Sequence, residues 1–252
     1  MSKPTLLFCP GAWHTTNFFD KVIAILKPLG YRCITIPMPS VGSVPATKGI
    51  DEDIAAIRTA ILKELQGGRD VVINAHSWAG IPVSSGLYGL GKDERQRDGS
   101  NGAVMKLTFV SSFVIPEGMS LLDTMGGKPD AWVIDEDGNI PLQASMIDKI
   151  YHDVPREEAE ESAAALRPHS LASLHAKTRS PAAWRMIPVA YLICEDDKLI
   201  PATIQEGMVD HMRKAGTTVS VERVASSHCP YLSRPGEVAG FLRRAAGEVF
   251  ND

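Results

Sequence analysis

The sequence predicts an α/β protein, a mostly parallel sheet flanked by helices, with a helical cap inserted over the strand ends. Three observations carry this. Short apolar runs alternate with amphipathic helical patterns over residues 1–112 and again over 186–252, the rhythm of strands joined by crossover helices. Between them, residues 113–185 lose that rhythm, and an excursion of this length between two strands signals a functional insertion. Finally, the apolar run Val71-Val72-Ile73 leads into Ala75-His76-Ser77-Trp78-Ala79-Gly80, a serine between small residues where a strand turns sharply into a helix.

In chain order, residues 5–9 read as a strand stopped by Pro10-Gly11. Residues 17–29 carry Phe18, Phe19, Val22, Ile23, Leu26 and Leu29 at helical spacing and close at Gly30. A strand over 32–36 stops at Pro37 and Pro39, and 40–49 is a loop. Residues 50–66 form an amphipathic helix before Gly67-Gly68. A strand over 70–74 precedes Ser77, a helix over 78–90 follows it, 92–101 is a charged surface loop, and 104–111 is a strand. The insertion holds helical pieces over 142–151, 156–166 and 170–175. The core then resumes with a strand (187–194), a helix (201–214), a strand (218–224) and a closing helix (235–250).

Bulk properties exclude several roles. The formal net charge of -4 and the lack of a basic block remove electrostatic support for nucleic-acid binding. No apolar run approaches the roughly 20 residues that span a bilayer. The run Leu6-Leu-Phe8 is too short for a signal sequence, which leaves a cytoplasmic protein as the expectation. Cys9, Cys33, Cys194 and Cys229 form no C-x-x-C pair and read as free thiols in a reducing compartment. The acids of 157–161 read as a solvated helix face. A homodimer is compatible with the sequence, which does not specify an oligomeric state.

A serine hydroxyl becomes a nucleophile only with a base in hydrogen-bond reach and a third group to orient that base. A serine before a helix also serves as a helix cap, so Ser77 needs partners. Asp197 lies in the turn after the strand ending at Cys194. Asp196 beside it and Glu117 after an earlier strand are alternative acids. His228 lies in a small-residue loop after the last strand. An attacked carbonyl also needs N–H donors for its oxyanion. The N–H of Trp78 and that of Ala12, in the loop after the first strand, are the candidates. Trp13, His14, Phe113, Trp132, Tyr151 and Tyr231 are candidate substrate contacts.

The order Ser77, Asp197, His228, each after its own strand, resembles that of the α/β-hydrolases. Pro10-Gly-Ala-Trp-His14, His76-Ser-Trp-Ala-Gly80, Tyr191 to Asp197 and on to Pro201, and Ser227-His-Cys-Pro230 with Ser233-x-Pro235 are similar to the plant methyl-ester esterase and hydroxynitrile lyase group and its fungal and bacterial relatives. The resemblance covers nearly the whole chain. It implies a triad at Ser77, His228 and Asp197, oxyanion donors at Ala12 and Trp78, no metal and no organic cofactor. Three features depart from that group. Pro10-Gly11 replaces a His-Gly pair, alanines flank the serine turn, and Cys229 follows His228 where lyases carry a lysine. The last argues against cyanohydrin cleavage. The expected activity is hydrolysis of a small or medium organic ester or lactone through an acyl-serine. Other chemistry at the same site (C–C bond cleavage or formation, dehydration, cyclisation) and a small-molecule receptor on this scaffold are the alternatives.

Overall fold

A computed structural model describes residues 3–130 and 132–249. Its strands are β1 (Thr5–Cys9), β2 (Cys33–Thr35), β3 (Val71–His76), β4 (Val104–Val110), β5 (Asn139–Ile140), β6 (His169–Ser170), β7 (Val189–Cys194) and β8 (Val219–Val224). Six form one sheet in the order β2-β1-β3-β4-β7-β8, and every pairing in it is parallel. Strands β5 and β6 make a separate antiparallel pair.

Alternation along the strands feeds two apolar layers, as a sheet covered on both faces requires. Leu6, Phe8 and Val72 join one cluster, with Val22 and Leu26 of α1 (Asp20–Leu26) and Phe241 and Leu242 near the C-terminus. Leu7, Cys9 and Ile73 join the other, with Ile54, Ile57 and Ile61 of α2 (Asp51–Gln66). The chain moves from β1 outward to β2, then crosses back to β3 on the other side of β1. Such a reversal opens a crevice beyond the carboxyl ends of the strands. The loops leaving β1 and β3 border it.

The remaining helices are α3 (Gly80–Gly86), α4 (Lys92–Arg97), α5 (Leu121–Thr124), α6 (Ala144–Tyr151), α7 (Arg156–Ala164), α8 (Leu171–His175), α9 (Ala202–Lys214), α10 (Pro230–Ser233) and α11 (Pro235–Ala245). Several depart from expectation for local reasons. The helix expected over 17–29 ends in a 3-10 turn, Lys27–Leu29, because Pro28 lacks an N–H and crowds the preceding turn. The helix expected over 78–90 is shortened to α3 behind a 3-10 turn, Ser77–Ala79. The expected surface loop 92–101 contains α4, begun by a bond from the Gly91 N–H to Glu94 Oε2 (3.2 Å). That helix buries no residue, so no apolar period announced it. The closing helix stops at Ala245, whereas the expected end, residue 250, lies outside the described residues.

Strands β4 and β7 are neighbours in the sheet, so the long segment between them leaves and returns without adding a strand. It carries α5 to α8 and the β5–β6 pair. Leu121, Leu122, Ile140 and Leu174 continue the apolar layer that contains α2.

Candidate active site

β3 continues past the expected end at Asn74 to His76, which pairs with Val110, and Ser77 follows at once. Ser77 is left-handed, with φ of +52°, a conformation non-glycine residues rarely hold. Its carbonyl accepts the Phe113 N–H (3.0 Å) and the Ser112 hydroxyl (2.8 Å), both from the exit of β4. Ala75 and Ala79 are fully buried, so alanine is small enough at both flanks of the turn. The closest approach comes one residue later, where a Cβ on Gly80 would lie 2.2 Å from the Phe113 carbonyl oxygen. A Cβ on Gly11, in the loop after β1, would lie 2.7 Å from Ser77 Cβ.

Three distant side chains meet at this rim. His228 Nε2 lies 2.9 Å from Ser77 Oγ, and His228 Nδ1 lies 2.7 Å from Asp197 Oδ2. Asp197 Oδ1 accepts the Leu199 and Ile200 N–H groups at 2.7 and 2.9 Å, which fix the turn before α9. Burial raises the Asp197 carboxyl, but the facing imidazole, the Ser111 hydroxyl and the Ile200 amide outweigh it. Asp197 is therefore held below the ordinary carboxylate range. Neither alternative acid takes this place. Asp196 is exposed, and Glu117 binds the Arg185 guanidinium (2.6 Å) and the Ala182 N–H (2.6 Å).

Two supporting residues escaped sequence reasoning. Ser111, left-handed at the end of β4, donates its hydroxyl to Asp197 Oδ2 and lies 3.1 Å from His228 Nδ1. His76 sends Nε2–H to the His228 carbonyl (3.0 Å) and is pushed well below the usual imidazole range by burial. His76 ends β3 beside Ser77 and Ser111 follows the last residue of β4, and those positions were the only available signal.

Ser77 opens onto a cavity of about 540 Å³. Ala12, Trp13, Trp78, Phe113 and Trp132 line it. Its remaining wall comes from the segment after β4, through Leu121, Met125, Met146 and Leu174, and from α9, through Ile204 and Met208. Sequence reasoning did not name these, because helix periodicity shows which residues are apolar but not which face a cavity. Among the described residues the lining includes no Asp, Glu, Lys or Arg, and its one imidazole is that of His211.

The structure places His14, Tyr151 and Tyr231 away from that lining. Tyr231 is fully buried beneath the sheet end, where its hydroxyl accepts from Asn74 Nδ2 (2.7 Å) and its ring packs on Phe18 and Phe19. His14 and Tyr151 bond to each other at 2.8 Å, with His14 Nδ1 3.0 Å from the Ala12 carbonyl. A carbonyl only accepts, so Nδ1 carries the proton and Nε2 accepts from the tyrosine hydroxyl. Burial pushes His14 down to about 3, which keeps it neutral.

A parallel α/β sheet that presents a left-handed serine after β3, a carboxylate after β7 and an imidazole after β8 has the architecture of an α/β-hydrolase. The chain belongs to the alpha/beta hydrolase family, whose profile matches residues 6–241. It is 31% identical to the alpha/beta hydrolase nvfD of Aspergillus novofumigatus, over 99% of both chains. It is 27% identical to the probable hydrolase R7 of a Phoma species, over 98% of this chain and 100% of that one. The crystal structure of methylesterase MES16 from Arabidopsis superposes with a TM-score of 0.75 at 18% identity, covering 97% of this chain and 99% of the other.

Proposed function

We propose that the protein is a serine hydrolase that cleaves an uncharged, largely apolar ester or lactone through an acyl-serine. The observation that carries this reading is the unbroken bond path Ser77–His228–Asp197 at the floor of an apolar cavity. Ser77 Oγ attacks the carbonyl carbon while His228 Nε2 takes its proton. The imidazolium, steadied by Asp197, returns that proton to the departing alkoxide. Water, deprotonated by the same nitrogen, then releases the acid and restores Ser77. The N–H groups of Ala12 and Trp78 receive the developing oxyanion, each contributing about 3 kcal/mol to the transition state. Trp78 stands in the first turn after the strand, where N–H groups have no acceptor within the helix.

The segment over 113–185 acts as the cap, supplying much of the apolar wall, and Trp13, Phe113 and Trp132 touch the substrate. About 540 Å³ suits a single small or medium organic molecule. An uncharged substrate fits because, among the described residues, no Asp, Glu, Lys or Arg lines the space to meet a charge, and its one imidazole is that of His211. The methylesterase name of one structural neighbour makes alkyl esters the first substrates to try. Hydrolysis is favoured over cyanohydrin cleavage because Cys229, after His228, is buried against His14 rather than placing a cation in the cavity. The four free thiols, three of them buried, support a reducing, cytoplasmic setting.

The test is turnover of p-nitrophenyl butyrate with covalent labelling by a fluorophosphonate. The Ser77→Ala variant is expected to lose about a millionfold in kcat and all labelling. Undiminished turnover in that variant would end the reading.

A further inference from the structure

We propose that the segment between β4 and β7 does more than roof the cavity: through Tyr151, Ile140 and Arg167 it clamps the loop after β1 in the conformation that presents the Ala12 N–H. This rests on the reading of Ala12 as an oxyanion donor.

The loop needs a clamp. The His14 N–H bonds to the Gly11 carbonyl (3.3 Å), closing a four-residue turn with Ala12 and Trp13 at its centre. Trp13 has φ of +65° and Ala12 does not share the left-handed conformation, the pattern of a type II turn. That turn ordinarily places glycine where Trp13 stands. Without outside contacts a bulky residue there favours a type I turn, which flips the Ala12–Trp13 peptide and re-aims its carbonyl and the Trp13 N–H beside the Ala12 donor.

Three bonds oppose the flip, and each partner lies in the same distant segment. Trp13 Nε1–H donates to the Ile140 carbonyl (2.7 Å). The Arg167 N–H donates to the Trp13 carbonyl (2.9 Å). The Tyr151 hydroxyl donates to His14 Nε2, whose Nδ1–H holds the Ala12 carbonyl, an atom of the peptide that would turn. The ring of Trp132 also meets that of Trp13 edge-on at 6.3 Å. The same stretch reaches the other side of the site. Ser227, beside His228, donates its N–H to Asp153 Oδ2 (2.9 Å) and its hydroxyl to the Ile150 carbonyl (3.0 Å). Tyr151 and His14 are therefore positioning residues, and the site is complete only with this segment seated.

The experiment compares wild type with Tyr151→Phe, His14→Ala and His14→Asn. Each is assayed on p-nitrophenyl butyrate per fluorophosphonate-titrated site, and for inhibition by an alkyl trifluoromethyl ketone, whose adduct carries an oxyanion. Tyr151→Phe is expected to lose about tenfold in kcat with KM unchanged, and to weaken ketone binding by the same factor. His14→Ala should lose more. His14→Asn, whose amide can stand where Nδ1–H stood, should recover part of that loss even in a protein of lowered melting temperature. Unaltered kcat and ketone affinity in Tyr151→Phe, or equal losses in His14→Ala and His14→Asn, would overturn the clamp. A wild type that neither labels nor turns over would instead defeat the hydrolase reading, which separates the two failures.

Discussion

Two loops at one rim of the sheet each hold a non-glycine residue in the left-handed conformation, and they do so by different means. Ser77, after β3, is held by what touches it inside the core. Its carbonyl takes two bonds from the exit of β4, and Gly80 lets the next turn press onto the Phe113 carbonyl. Trp13, after β1, is held by side chains and amides from a segment more than a hundred residues away in sequence. Each strained residue costs on the order of 1–3 kcal/mol, so both arrangements need compensation. The elbow takes it from close packing, which is present as soon as the sheet forms. The first loop takes it from polar contacts that require the inserted segment to be docked. The conformation of Ser77 is thereby set by the sheet, and that of the first loop by the inserted segment.

The largest expected effect tests whether the elbow carries the chemistry. His228→Ala should lose about a millionfold in kcat, and a Ser77→Ala/His228→Ala double variant should be no worse than either single one, because the pair works as a unit. If His228→Ala lost no more than Tyr151→Phe, the contrast between reacting elbow and supporting loop would fail.

The next test concerns how the elbow is held. Gly80→Ala places a methyl group against backbone that cannot yield, with the Phe113 oxygen at 2.2 Å and the Ser112 hydroxyl at 2.5 Å. Overpacking of this kind is expected to lower stability by about 3 kcal/mol in urea unfolding. An unchanged unfolding midpoint would show that packing is not what constrains Ser77.

The smallest effect comes from the opposite rim and serves as a control. Glu64 is fully buried at the end of α2, where it accepts from Arg69 (2.7 Å), Arg32 (2.9 Å) and Thr5 (2.8 Å). The Arg69 bond foremost, with those from Arg32 and Thr5, outweighs burial and holds its carboxyl at about 2 instead of 4.5. A lowered pKa means the folded state prefers the charged form. That stabilisation is whole above the ordinary value of 4.5 and is lost as the pH falls from there through about 2. Because both arginines are half-exposed, Glu64→Gln should lower stability by only about 1–2 kcal/mol at neutral pH and flatten the acid decline. Turnover should stay at the wild-type level. A change in kcat would show that the two ends of the sheet are not independent.

The sequence by itself determined the parallel α/β scaffold, the position of the inserted segment, and Ser77, Asp197 and His228 as residues that could meet. These were legible because strand alternation, helix period and turn chemistry are local. Residues at successive strand ends of a parallel sheet also share one rim whatever the loops do. Tertiary structure decided the rest. It brought Ser111 and His76 onto the acid and the histidine, turned α9 toward the cavity, and moved His14, Tyr151 and Tyr231 out of it. Which side of a loop aromatic faces a void depends on contacts between segments far apart in sequence, and no local pattern encodes their approach. The peptide of Ala12 shows this most directly. Its neighbours in sequence favour a different turn, and the segment that holds it begins more than a hundred residues later.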